Sequence, residues 1–234
     1  SESGGTSCQV RARKGLLLGT AAAALVVFAL MWLGYGTAWM ARVDNWALEP
    51  MHRIGEAHPG WVTAWDVFCT VFGPFAFRIV TLGVIVVAFV RRQIRIAIFL
   101  VISVEFSGLV TEIAKRSVDR PRPATAMVSA YGTSFPSGHA LGLMVSVLAL
   151  LTVALPLVRA SRRGWLVALG VVIVVAVGVG RVALNVHHPS DVLAGWALGY
   201  AYFVVCLLVV APQGRLDRPV TQPDEIPAAP GTAR

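Results

Sequence analysis

Lys115, Arg122, Ser137, Gly138, His139, Arg181, His187 and Asp191 are the residues whose types and spacing could do chemistry in this chain. They form three polar clusters, each at the end of an apolar run: Lys115 with Arg122-Pro123, then Pro136-Ser137-Gly138-His139, then Arg181 with His187 and Asp191. Cations, imidazoles and a carboxylate together suit an anionic substrate and proton transfer, which points to phosphate chemistry. Ionisable side chains are expensive in or near a bilayer, so such a set reads as a functional site.

Each cluster also has a plainer reading. Pro136-Ser137-Gly138-His139 opens a long apolar helical stretch, so it marks a helix N-terminus. Free N–H groups and the positive dipole end make that an anion site, and Gly138 admits an oxyanion close to the backbone; Ser137 could equally be a simple cap. His187 and Asp191 are four apart with Pro189 between them, which favours a helix start and sets the carboxylate beside the imidazole. A His-Asp pair alone is more often structural, but Arg181, at the end of the preceding run, adds a fixed cation. His188 is expected to point elsewhere and stand by. Lys115 closes an apolar run, and the prolines around Arg122 restrict its backbone. Arg suits bidentate phosphate contact and Lys a point charge; Arg116 reads as an interfacial snorkelling cation. Glu105 and Glu112 lie in the third run; Glu112, three residues before Lys115, is expected to pair with a nearby cation, a proton relay being the less favoured role.

The elements that must position these residues are membrane helices. At 56% hydrophobic, 14% charged and a mean hydropathy of +0.71, the 234 residues are too apolar for an ordinary soluble domain of this size. The net charge of +8 lies mostly in short clusters between apolar runs, with no basic stripe carrying interleaved aromatics, so no nucleic-acid partner is expected. Cys8, Cys69 and Cys206 are far apart and lack metal-ligand spacing, which supports neither a disulfide framework nor a zinc site.

Six runs are long enough to span a bilayer, at about 15–35, 74–90, 94–114, 138–158, 165–184 and 191–211. The fold expected is all-α: a polytopic bundle of six transmembrane helices over 15–211, preceded by a short segment 1–14 and followed by a proline-rich, disordered tail, 212–234. The first run is read as an uncleaved span, being long for a signal peptide and continuing into Tyr35 and Trp39. The apolar stretch from Trp61 to Phe72 either extends the second span or forms an interfacial helix. Arg42 to Pro59, with Trp46, Leu48, Met51 and Ile54 among charged residues, reads as an amphipathic helix in the interface or a plain connector.

If the spans alternate, Arg11, Arg13, Lys14, Arg91, Arg92, Arg95, Arg159, Arg162, Arg163, Arg215 and Arg218 share one side. The positive-inside rule makes that side cytoplasmic, with both termini. All three polar clusters then fall on the outer face of a plasma or inner membrane.

Together the clusters resemble the type-2 phosphatidic acid phosphatase superfamily, whose signature is Lys-x6-Arg-Pro, Pro-Ser-Gly-His and Ser-Arg-x5-His-x3-Asp. The chain reads Lys115-x6-Arg122-Pro123, Pro136-Ser137-Gly138-His139 and Gly180-Arg181-x5-His187-x3-Asp191. Only the serine before Arg181 is missing; Gly180 removes one hydroxyl donor and leaves every charged role filled. The resemblance implies an integral membrane lipid phosphatase acting through a phosphohistidine. His187 would be the nucleophile, Asp191 its orienting carboxylate and His139 the proton donor and later base. Lys115, Arg122, Ser137, Gly138 and Arg181 would bind the phosphoryl oxygens, with no metal and no cofactor. Its partner is a membrane lipid phosphate, a polyprenyl diphosphate such as undecaprenyl diphosphate being favoured by the outward-facing site; phosphatidylglycerol phosphate and phosphatidic acid fit as well. A lipid phosphotransferase would use the same phosphohistidine. A transporter is less favoured, because its charges belong near the midplane of broken spans and these sit at span ends. The likeness extends to vanadium-dependent haloperoxidases, but those are soluble.

Overall fold

The structure, a computed structural model, describes residues 2–212, and all regular structure among them is helical. The expected tail lies outside the described residues beyond Pro212, as do Arg215 and Arg218. Helix α1 is Glu2–Gly34, so the basic N-terminal residues are helical and continuous with the first apolar run. α2 is Ala38–Ala57, α3 Pro59–Val71 and α4 Pro74–Val90. α5, Ile94–Leu100, passes through a π-turn at Val101–Glu105 into α6, Ser107–Arg116. α7 is Gly138–Ala154, α8 Ala160–Ala183 and α9 Pro189–Val210.

Six helical runs are long and apolar enough to cross a membrane: Gly5–Gly34, Pro59–Val90, Ile94–Arg116, Gly138–Leu157, Ala160–Ala183 and Pro189–Val210. The stretch before Pro74 is thus helix α3, continuous in apolarity with α4 and broken from it at Gly73. Proline opens α3, α4 and α9, where its missing N–H costs nothing.

α7 and α9 form the centre, with α1 on α9 and α8 on α7. Their approach is set by Gly195 and Gly199 in a small-xxx-small spacing: a Cβ at Gly195 would lie 2.6 Å from the Ser137 carbonyl oxygen, and one at Gly199 2.8 Å from that of Leu141. The backbone N–H of Ser137 donates to the Asp191 carbonyl at 3.0 Å, locking the starts of the two helices together. The far ends carry the basic clusters at Arg91–Arg95 and Arg159–Arg163, about 25 Å away by the rise of a 17-residue helix.

α2 is the amphipathic helix expected of the first outer segment, but turned. It starts at Ala38 under a Thr37 cap and buries Met40, Asp44, Leu48 and Gly55, whereas Trp46 is 83% exposed. A carboxylate on its buried face signals that α2 is more than a float.

Candidate active site

Four helix ends meet at one end of the bundle. α6 and α8 end there, and their last turns carry Lys115 and Arg181, cations favoured by the negative pole of the helix dipole. α7 and α9 begin there, offering free N–H groups and the positive pole to an anion. Lys115, Arg181, Ser137, Gly138, His139 and Asp191 are therefore brought together by helix direction alone. The loop 117–137 folds over them and supplies Arg122.

His187 is placed by the turn that ends α8. Asn185 adopts a left-handed conformation (φ 55°), and the Val186 N–H returns to the Arg181 carbonyl at 3.2 Å, closing the helix. The Asn185 amide donates to the Val182 carbonyl at 3.2 Å and accepts from the Thr125 hydroxyl at 2.7 Å, so the turn and the covering loop hold each other. Two residues on, His187 is 2% exposed.

Its two nitrogens face different groups. Nε2 lies 2.9 Å from Arg122 Nη1, a donor, which makes Nε2 the lone-pair nitrogen and puts the proton on Nδ1. Nδ1 is 3.5 Å from Asp191 Oδ2, too long for a closed hydrogen bond, and has no other partner among the described residues. Burial drives the His187 pKa down to about 4; Arg181 and Arg122 push the same way, and Asp191 opposes them. The imidazole is consequently neutral at physiological pH with its lone pair available. Burial and the neighbouring Arg181 also lower the Arg122 pKa, against the pull of Asp191.

The other expected residues share this environment. His139 feels the charges of Arg181, His187 and Arg122, and Lys115 those of Arg122, Asp191 and Arg181. Lys115 Nζ donates to the Thr133 carbonyl. Ser137 Oγ accepts the Ala140 N–H at 3.2 Å, which leaves its own proton free to donate. Arg122 is held by the carbonyls of Tyr131 (2.7 Å), Val186 (3.0 Å) and Gly132 (3.2 Å). Arg181 is 7% exposed, yet its Nε has no hydrogen-bond partner and it forms no ion pair among the described residues. Burying a cation without a carboxylate beside it is costly, and an anion bound there would offset that cost.

Gly180 also has a steric explanation. A Cβ there would lie 2.6 Å from Cys69 Sγ and 2.7 Å from Trp65 Cε3, so α3 fills the space where a serine would stand. Among the described residues no group of three or more His, Cys, Asp or Glu is arranged to hold a metal.

The sequence reading missed several partners of Asp191, and one expectation is corrected. His188 does not stand by: it precedes α9 in extended conformation (φ −74°, ψ 151°), so its ring folds back until Nδ1 is 3.0 Å from Asp191 Oδ2. Its N–H donates to the same oxygen at 2.8 Å, as does the Ser134 hydroxyl. Asp191 Oδ1 takes Arg120 Nη1 at 2.7 Å, and Arg120 Nη2 reaches Asp44 at 2.9 Å. Glu105, in the π-turn, feels Arg78 of α4 and lies outside the cluster.

Residues 96–215 match the family model of the PAP2 superfamily. The chain is 36% identical over 116 residues to an undecaprenyl-diphosphatase of Sulfolobus acidocaldarius, a match covering 47% of the chain and 52% of that protein. It is 28% identical over 203 residues to a lipid A 1-phosphatase of Rhizobium johnstonii, covering 78% of the chain and 77% of the relative. A phosphatidylglycerophosphatase B of Bacillus subtilis is 36% identical over 99 residues, 41% of the chain and 48% of that protein. The matches thus span about half the length of the Sulfolobus and Bacillus relatives. Among solved structures, the crystal structure of a transmembrane PAP2-type phosphatidylglycerolphosphate phosphatase from Bacillus subtilis superposes with a TM-score of 0.74 at 20% identity, over 84% of this chain and 98% of that one.

Proposed function

Because the chain belongs to the PAP2 superfamily, we propose that it is a membrane lipid phosphatase that removes phosphate from a lipid monophosphate or diphosphate through a phosphohistidine on His187. The observation that carries this reading is the pairing of a neutral, buried His187, its Nε2 lone pair turned to the phosphate cations, with Arg181, a buried cation lacking a counter-ion.

In the first step His187 Nε2 attacks phosphorus in line. The P–N bond forms as the P–O bond to the lipid breaks, and the leaving oxygen takes the electron pair and a proton from His139. Asp191, whose Oδ2 faces Nδ1 at 3.5 Å, stabilises the imidazolium character that develops. In the second step His139 removes a proton from water, the hydroxide attacks phosphorus, and the P–N electrons return to Nε2 as phosphate leaves. Lys115, Arg122, Arg181, the Ser137 hydroxyl and the Gly138 N–H stabilise the charge on the equatorial oxygens. Arg122 Nη1, which donates to Nε2, would transfer that donation to a phosphoryl oxygen.

The named activities of the relatives are all on lipid phosphates or diphosphates, which supports a lipid substrate. A site at the ends of membrane helices receives a headgroup while the chain stays in lipid. A polyprenyl diphosphate is the favoured substrate, since the basic clusters at the opposite end of the bundle support an outward-facing site and cytoplasmic termini.

The test is phosphate release by the purified chain in nanodiscs from a panel of lipid monophosphates and diphosphates, with EDTA present. Release is expected, with an acid-labile phosphoenzyme in the wild type; His187→Ala should form none and turn over at no more than about one-thousandth of the rate. Full activity in His187→Ala refutes the nucleophile assignment. Activity lost to EDTA and restored by a divalent metal refutes the metal-free scheme.

A further inference from the structure

Behind Asp191 lies a buried network that the phosphate site does not use. Arg120 is 6% exposed, Asp44 and Ser190 1% each, and Asp191 is fully buried. Arg120 Nη1 donates to Ser190 Oγ at 2.7 Å and to Asp191 Oδ1 at 2.7 Å, while Nη2 donates to Asp44 Oδ2 at 2.9 Å. Asp44 Oδ1 accepts the Ser190 N–H at 3.0 Å and Oδ2 the Ser190 hydroxyl at 2.8 Å, so a carboxylate on α2 caps the start of α9. The Arg120 guanidinium also lies 5.4 Å from the centre of the Tyr35 ring.

Neutralising Asp191 would take one cation and no second carboxylate. Asp44 adds nothing to that task, and among the described residues its hydrogen bonds and ion pairs go only to Arg120 and Ser190. What it does is fix the guanidinium plane from the far side. With Oδ1 of Asp191 pinned by that plane, Oδ2 is the oxygen left to collect the Ser134 hydroxyl and His188 and to face His187 Nδ1 at 3.5 Å. The opposite face of α2 exposes Trp39 (62%) and Trp46 (83%), side chains that favour the membrane–water boundary.

We propose that Arg120 is a positioning residue of the active site, which carries the seating of α2 through Asp44 to the carboxylate that orients His187. The proposal uses the phosphatase reading only for its activity readout. The charged and titratable groups bearing on the His187–Asp191 pair are Lys115 from α6, Arg120 and Arg122 from the loop, His139 from α7, Arg181 from α8 and His188 at the start of α9. Asp44 of α2 and Asp66 of α3 act one step back, through Arg120 and Arg181.

The experiment compares the full chain with Arg120→Gln, Arg120→Lys and Asp44→Asn in nanodiscs. It reads the His187 titration by 15N-histidine NMR and kcat for phosphate release from the best lipid substrate of the panel. Removing the cation exposes His187 to the whole Asp191 charge, so Arg120→Gln should raise the His187 midpoint by about one pH unit and lower kcat on the order of 10- to 100-fold, as loss of an imidazole's outer partner does. Asp44→Asn leaves Arg120 wholly to Asp191 and should shift the midpoint the other way, with about a tenfold loss of kcat. Arg120→Lys keeps the charge but not the fork, so kcat should fall with the midpoint held. Unchanged midpoints in Arg120→Gln and Asp44→Asn, or shifts of the same sign with activity following thermal stability, overturn the proposal. If Arg120→Gln does not fold, Asp44→Asn and Arg120→Lys decide by the same criteria. A wild type that hydrolyses no lipid phosphate sinks the phosphatase reading instead, and the NMR arm still decides the role of Arg120.

Discussion

Two buried arginines flank the His187–Asp191 pair, and they differ in everything but exposure: 6% for Arg120 and 7% for Arg181. Arg120 has ion pairs to Asp44 and Asp191, a hydroxyl and an aromatic ring around it. Arg181 has an unpartnered Nε among the described residues, with the Cys69 thiol and the Asp66 charge of α3 bearing on it. A dehydrated cation with carboxylates already in place belongs to the framework, whereas one dehydrated without them is held at a cost that a bound anion offsets. One side of the cluster is therefore complete within the protein, and under the proposed function the other would be completed by the phosphate.

The largest effect expected from this contrast is on stability. Arg120→Met leaves the carboxylates of Asp44 and Asp191 buried without their shared cation, and should destabilise the chain by about 3–5 kcal/mol. Arg181→Met removes an uncompensated buried charge, so its thermal midpoint should hold or rise while phosphate release falls by roughly 10²–10³-fold. Thermal unfolding and initial rates on the same preparations check both. A stability loss of similar size in the two variants would break the contrast.

The next effect is on pH dependence, and it shows which side dominates at His187. Its folded pKa of about 4 lies below the ordinary 6.5, so the unfolded chain takes up the proton first as pH falls. Stability from this group is therefore complete above pH 6.5 and lost on acidification towards pH 4, at roughly 1.4 kcal/mol per pH unit. Burial and the two open-side cations outweigh Asp191. Thermal midpoints of wild type and His187→Gln, measured from pH 7 to 4, should converge as pH falls. A constant difference between them would mean that the imidazole is not held neutral.

The bundle and the residues that gather at one end of it were legible in the sequence because each is written locally. A span is a run of apolar residues, and the three signature blocks lie at span ends, where helix direction brings together all of their site residues except Arg122, on the covering loop, and His187, on the turn after α8. The framework side was hidden, because its parts are distant and ordinary in isolation. Asp44 lies 76 residues before Arg120, and Arg120 looks like one more interfacial cation beside Arg122. The readable trace was the stripe Met40–Asp44–Leu48, spaced four apart on one helical face, with a carboxylate where an apolar residue belongs. His188 was misjudged by applying helical geometry to a residue whose backbone is extended.

The smallest effect tests whether the open side is shaped by packing or by a missing donor. In the signature a serine precedes Arg181, and here Gly180 leaves its place to Cys69 and Trp65. If the glycine is there for space, Gly180→Ser must push α3 outward and should cost about 1–3 kcal/mol, lowering activity by displacing Arg181 despite the added hydroxyl. Trp65→Leu in the same chain makes room, and the pair should show a favourable coupling of about 1 kcal/mol in a double-mutant cycle of unfolding midpoints. Activity raised by Gly180→Ser alone, with no loss of stability, would identify the glycine as a lost phosphate donor. Additive losses would mean that Trp65 is not what excludes the side chain. Strong coupling with activity recovered only in the double variant would assign to α3 the wall of the phosphate side, as α2 is assigned the back of the framework side.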